Sequence, residues 1–182
     1  MDRILKFLAF TIIAILIFSF AFPSLELYFG SSHRRKKLPR VRDDMRILAT
    51  ALDSYFIDHE VFPPGVPFSD MVPGTASRLP KSGEHLLTIP SAITTPVAYL
   101  SMLCVDVFQR DRSLGLGFAY YTDGKGWILF SPGPDQDYDI ADPAHVYDSD
   151  TTQPSPLLIG GPWTYDPTNG TESSGDVWRV KQ

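Results

Sequence analysis

Three hydrophobic patterns succeed one another along the chain, each predicting a different element. The first has no period: residues 7–22, FLAFTIIAILIFSFAF, carry no charge, and Ile4 and Leu5 extend the run toward the start. As a helix, residues 4–22 would measure about 28 Å, enough to cross a hydrocarbon core, with Lys6 close enough to the end to snorkel. The second pattern is helical. In RVRDDMRILATALDSYFIDHE, residues 40–60, Val41, Met45, Leu48, Leu52, Tyr55 and Phe56 recur at spacings of three and four, which is one face of an amphipathic helix. Asp43 and Asp44 fall in the first turn of that predicted helix, where the macrodipole favours anions, and Phe62-Pro63-Pro64-Gly65 ends it. The third pattern is that of strands. GFAYYT (117–122) and GWILFS (126–131) are aromatic and β-branched runs joined by Asp123-Gly124-Lys125, a strong hairpin signal. A last strand is expected at 176–181, with VWRV at its centre.

The remaining segments are irregular. Residues 63–96 hold seven prolines, with a short helix expected at 83–88 and a further helical turn opened by Thr94-Thr95-Pro96 and running through 97–103. A second long loop, 132–162, carries Asp135, Asp137, Asp139, Asp142, Asp148 and Asp150. One long helix packed on a small antiparallel sheet, with long loops, is an α+β fold.

Charge divides the chain differently. Residues 33–42, HRRKKLPRVR, carry six Lys/Arg, whereas residues 43–182 carry eight Lys/Arg against 19 Asp/Glu, a formal net charge of −11. That balance argues against binding nucleic acid through its phosphates and suits an exported domain or one that binds cations. The organisation read from this is a transmembrane signal-anchor at 1–29, a basic juxtamembrane linker at 30–42 closed by Pro39, and a globular domain at 43–182. A cleaved signal peptide is the alternative for the first segment: Arg3 and Lys6 form its basic end, and Ser19-Phe20-Ala21 gives a small-x-small cleavage site. The basic run favours a cytoplasmic domain by the positive-inside rule, while the signal-like start favours export. Export is the expectation, with the chain single-pass in an inner membrane and its partner there the lipid bilayer.

Candidate chemistry is sparse. Cys104, the single cysteine, excludes an internal disulfide framework and a Cys-based zinc site, and its apolar neighbours Leu103 and Val105 suggest a buried thiol. The four histidines, at 33, 59, 85 and 145, stand at no ligand spacing. There is no nucleophile elbow, phosphate-binding glycine-lysine loop, dinucleotide fingerprint or His-Glu-x-x-His, so no enzyme and no small-molecule substrate is expected. Asp135, Asp137 and Asp139 lie at i, i+2 and i+4, the spacing that opens a calcium loop because alternate side chains of a tight turn can face one hard cation. As an EF-hand the stretch fails, with Ile140 where glycine is needed and Val146 where a bidentate Glu is needed. A solvated acidic turn and a calcium site of another type both remain open. In the closing stretch TYDPTNGTESSGDVWRV, Asp166-Pro167-Thr168-Asn169-Gly170 and Ser173-Ser174-Gly175-Asp176 are turn chemistry, read as a lock on the fold; Asn169-Gly170-Thr171 also matches a glycosylation acceptor.

Taken in order, DMRILATALDSYFIDHEVFPP, TTPVAYL, DVF, a Tyr-rich strand, GWILFSPGPDQDYDI and YDPTNGTESSGDVWR resemble the C-terminal domain of the major pseudopilins of type II secretion systems, over roughly residues 43–182. The resemblance implies a pilin-like head, an N-terminal helix packed on a small antiparallel sheet with a calcium-binding loop before the C-terminus. By position it carries Asp135, Asp137 and Asp139 into that loop region, and Asp176 with them. It implies other pseudopilins or secretion-system subunits as partners, and a structural rather than enzymatic role in the periplasm. The chain departs from the family at its start: MDRILKFLAFTIIAI has no glycine before Phe7 and no acid at the head of its apolar run, and Pro23, Gly30 and Pro39 interrupt the stem.

Overall fold

A computed structural model describes residues 37–71, 86–147, 156, 158–168 and 173–181. The apolar run at 4–22, most of the basic stretch, Asp148, Asp150 and the Asn169-Gly170-Thr171 acceptor lie outside the described residues. Among the described residues no helix is long and apolar enough to cross a membrane. A compact unit begins at Lys37, so residues 38–42, expected as linker, belong to the globular domain.

Helix α1 runs over Leu38–His59, about 33 Å at the usual rise. It starts earlier than expected because Pro39 sits in its first turn, where a missing N–H costs nothing. The first turn consequently holds no acid. Asp43 and Asp44 lie in the second turn and form ion pairs, Asp43 with Arg46 at 2.8 Å and Asp44 with Arg40 at 3.6 Å. At the other end Glu60 adopts the left-handed conformation (φ 59°) and its N–H caps the Phe56 carbonyl. Val41, Met45, Leu48 and Leu52 are buried as the spacing requires, and Phe56 stacks on Phe62 with ring centroids 4.6 Å apart.

Five antiparallel strands follow as a meander in the order β1-β2-β3-β4-β5: β1 Val66–Pro67, β2 Leu87–Thr88, β3 Ala119–Thr122, β4 Trp127–Ser131 and β5 Val177–Lys181. The β3–β4 hairpin forms where Asp-Gly predicts it. Asp123 accepts hydrogen bonds from the Lys125 and Gly126 amides, both at 3.0 Å, and Gly124 supplies a φ of 92°. The expected helix at 83–88 is instead strand where it is described: Leu87 and Thr88 pair with Pro67 and Val66, and the Thr88 hydroxyl donates to the Phe118 carbonyl. A 3₁₀ turn at Ser91–Ile93 replaces the helical turn expected from Thr94 through residue 103. Pro96 disfavours helix at Thr95. The hydroxyls of Thr94 and Thr95 bond back to the Ser91 carbonyl, and the Tyr99 and Leu100 amides return to the Ile93 carbonyl.

Strand β4 is buried along its whole length, so its alternation divides two cores rather than core from solvent. Trp127 and Leu129 join Tyr120 beneath the apolar stripe of α1. Ile128 and Phe130 turn to the opposite face, where Tyr138, Ile140, Val146, Tyr147 and Leu158 cover them. That second cover is made of loops and two short helices, α2 Phe68–Met71 and α3 Pro143–Val146. The acidic loop is part of it. Burying each of these large side chains contributes roughly 1.5–3 kcal/mol relative to exposure, so both faces matter to stability.

Candidate metal centre at the closing strand

The acidic loop leaves β4 through a tight turn. Gly133 (φ 68°) and Gln136 (φ 68°) are left-handed, and the Gln136 amide donates to the Gly133 carbonyl. Tyr138 then drops into the core between two aspartates. Its ring packs edge-on to Phe130 at 5.9 Å, and its hydroxyl accepts a 2.6 Å hydrogen bond from Gln109, which also donates to the Gly117 carbonyl. Asp106, fully buried, accepts from the Phe108 amide at 2.9 Å and shapes that loop. Burial, and then the nearby Asp106 charge, hold the Tyr138 hydroxyl well above its usual range, so it stays protonated.

From this anchor the loop reaches the closing strand. Asp139 accepts a 2.7 Å hydrogen bond from the Gly175 amide, and Asp176 accepts a 2.8 Å one from the Ile140 amide. The two segments therefore clasp each other, carboxylate to backbone in both directions. A third segment crosses the same point: the Asp176 amide donates to the Trp163 carbonyl at 2.7 Å, and the Tyr165 amide to the Asp176 carbonyl at 3.0 Å. The Trp178 indole and the Leu158 carbonyl hold the Thr164 hydroxyl between them. The crossing is close enough to require glycine. A Cβ on Gly175 (φ 106°) would lie 2.4 Å from the Thr164 carbonyl carbon, and one on Gly133 would lie 3.0 Å from the Gly175 oxygen. Where a lock on the fold is expected, three backbone segments cross, around 139–140, 163–165 and 175–176.

The structure brings Asp135, Asp139 and Asp176 to this crossing. Asp137 is exposed, with its carboxylate turned to the Tyr138 amide. Asp176 is wholly buried and Asp135 half-buried, and one oxygen of each, Oδ1, is buried without a hydrogen-bond partner. Burial, partly countered by backbone hydrogen bonds and reinforced by the neighbouring carboxylates, pushes Asp135 up to about 6. Asp176 is raised well above the usual carboxylate range, first by burial and then by Asp139 and Asp135 despite the bond from Ile140. Unpaired buried carboxylate oxygens are costly unless a cation or proton answers them. Among the described residues no group of three or more His, Cys, Asp or Glu side chains is placed to hold a metal ion. Calcium does not need one, since it takes carbonyl and water oxygens beside two or three carboxylates. The oxygens at the crossing are of the kind a hard cation takes, and no thiolate is among them.

Cys104 is half-buried, and burial raises its thiol, so it is a poor nucleophile. His59 stacks on Tyr55 with centroids 4.0 Å apart. Sequence reasoning missed Asp106, Gln109 and Tyr138, because Tyr138 lies 29 positions from Gln109 and no spacing signal links them. It also missed Gly133, although Ser-Pro-Gly advertises a backbone turn; Gly175 was placed in a turn, without the close approach to Thr164 that requires glycine there.

No family model, curated protein or solved structure matches the chain.

Proposed function

We propose that this chain is a membrane-anchored, non-enzymatic structural component or accessory of a type II secretion or pilus-like assembly, with a pseudopilin-like head on the extracytoplasmic side. The observation that carries the reading is the crossing of the acidic loop with the closing strand, where buried Asp135 and Asp176 oxygens stand unanswered. A single long helix on an antiparallel meander suits a stem-and-head subunit, and the apolar run at 4–22 supplies an anchor. In this reading Asp135, Asp139 and Asp176 hold calcium, which cancels their mutual repulsion and fastens the last strand to the loop before it. The cation is structural: it organises a surface and activates no water.

Two experiments test the reading. Affinity purification of the full chain from detergent-solubilised membranes is expected to recover secretion-system or pilus-like subunits, and recovery of the chain alone would contradict the assembly role. Calcium titrated into the metal-free protein is expected to bind at one site, and Asp176→Asn is expected to remove that binding. Cleavage of the head by protease added outside intact cells checks the proposed side of the membrane.

A further inference from the structure

The sheet ends in two unlike edges. At one, β1 is two residues long, and one of them is Pro67, which has no N–H to offer. At the other, β5 runs over Val177–Lys181. Its outward side follows from the crossing. The Asp176 amide and carbonyl both bond to residues 163–165, away from β4, and backbone direction alternates along a strand. Val177, Arg179 and Lys181 therefore turn their backbone groups to Ser131, Leu129 and Trp127 across the ladder, while Trp178 and Val180 turn theirs outward. The internal segment that covers Asp176 does not reach them. A parallel ladder continued from Thr164 and Asp176 would bring the residue 167 amide to the Trp178 carbonyl, but residue 167 is proline. Asp166 accepts instead from the Thr168 amide at 2.8 Å and bends the chain into a turn. Among the described residues nothing bonds to the outward backbone groups of Trp178 and Val180.

Such an edge is a template for one more strand, and its side chains say which kind. Trp178 and Val180 pack half-buried against the loop-side core, and the Trp178 indole is fixed by its 2.8 Å bond to the Thr164 hydroxyl. On the helix side Lys181 is taken by Asp53 at 3.1 Å. Arg179 is exposed there and makes no ion pair among the described residues. A strand laid beside 178–180 is therefore best held by a carboxylate opposite Arg179, between apolar residues opposite Trp178 and Val180. We infer that β5 takes up an extended acidic and apolar segment of a partner protein by strand addition. A second copy's β5 is the poorer fit. Antiparallel pairing through the Trp178 and Val180 groups centres on residue 179 and sets Arg179 against Arg179. Neither the cation nor the assembly role enters into this contact.

The probe is a capped, fluorescently labelled peptide of alternating valine and glutamate. It is titrated into the full chain in detergent and followed by anisotropy, with amide hydrogen exchange measured on the complex. Binding is expected to slow exchange at the Trp178 and Val180 amides, while the Val177 and Arg179 amides, already turned to β4, change little. Val180→Pro deletes an N–H that makes no bond among the described residues, a change that edge strands accommodate. It is expected to weaken binding about tenfold or more with little change in melting temperature. Arg179→Glu leaves the backbone intact and keeps the inference testable should Val180→Pro unfold the edge. It is expected to reject the valine–glutamate peptide and to accept one of alternating valine and lysine. A wild-type chain that does not bind the valine–glutamate peptide, or binds it undiminished after Val180→Pro, overturns strand addition. Equal binding of both peptides by the wild type overturns the acidic partner. Self-association that Val180→Pro abolishes, with no peptide bound, assigns the edge to a second copy and overturns the inference.

Discussion

The two faces of the sheet are covered in different ways. On one, a single helix lays Val41, Met45, Leu48 and Leu52 over Tyr120, Trp127 and Leu129. On the other, Ile128 and Phe130 lie under loop residues, Tyr138, Ile140 and Leu158 among them. The helix satisfies its own backbone, so its contact with the sheet is mainly apolar, joined by the buried Tyr120 hydroxyl on the Pro63 carbonyl and the Lys181–Asp53 ion pair. The loops cannot. They depend on carboxylates that clasp backbone amides at Asp139 and Asp176, and on the Gln109–Tyr138 hydrogen bond. The helix face is therefore held mainly by burial, whereas the loop face adds buried carboxylates whose cost varies with pH.

That contrast can be broken from either side. The largest effect is expected from Leu52→Ala beneath the helix, where a fully buried side chain leaves a cavity. It should cost about 2–5 kcal/mol in denaturant unfolding, by the same amount with and without calcium. Gly175→Ala acts at the crossing, where the new Cβ meets the Thr164 backbone at positive φ. A loss of about 1–3 kcal/mol is expected, accompanied by loss of the calcium response. The same loss after Leu52→Ala would erase the distinction between the faces.

Protonation separates the faces more gently. Asp135 and Asp176 have folded-state pKa values raised above the unfolded ones, so the folded protein holds more protons as the pH rises above about 4. Stability without metal should therefore be highest in acid and fall as the pH rises from about 4 through about 6, the Asp135 value. Calcium should flatten that fall, and melting curves across the range check it. Asp176→Asn should likewise flatten it without metal. The smallest effect is expected from Asp137→Asn, an exposed position, which should stay within about 0.5 kcal/mol.

Much of the helix face was legible in the sequence because local signals suffice there. The three-and-four spacing of Val41 to Leu52 predicts both the helix and its buried side, and Asp123-Gly124 predicts the hairpin it lies on. Even so, Pro39 reads equally as the end of a linker and as a first-turn residue, which shifted the helix start and misplaced Asp43 and Asp44. The loop face was less legible. The i, i+2, i+4 aspartates pointed to the loop that meets the closing strand, yet alternation alone weights Asp137 like its neighbours, and only the Gly133 turn and the buried Tyr138 set it outward. Asp176 came from resemblance, not spacing, because the bond joining it to Ile140 spans 36 positions. Leu87 and Thr88 became strand through pairing with residues 66 and 67, a contact no local pattern encodes.

In the proposed reading a cation fastens the loop face by answering the Asp135 and Asp176 oxygens. Its most direct test is thermal unfolding of the wild type and Asp176→Asn with and without calcium at neutral pH. At about 100 times the dissociation constant, calcium should stabilise the wild type by about 2.7 kcal/mol, raising Tm by roughly 5–10 °C. Asp176→Asn should show no such rise. A wild-type Tm indifferent to calcium, or an equal rise in the variant, would mean that no cation fastens this face through Asp176.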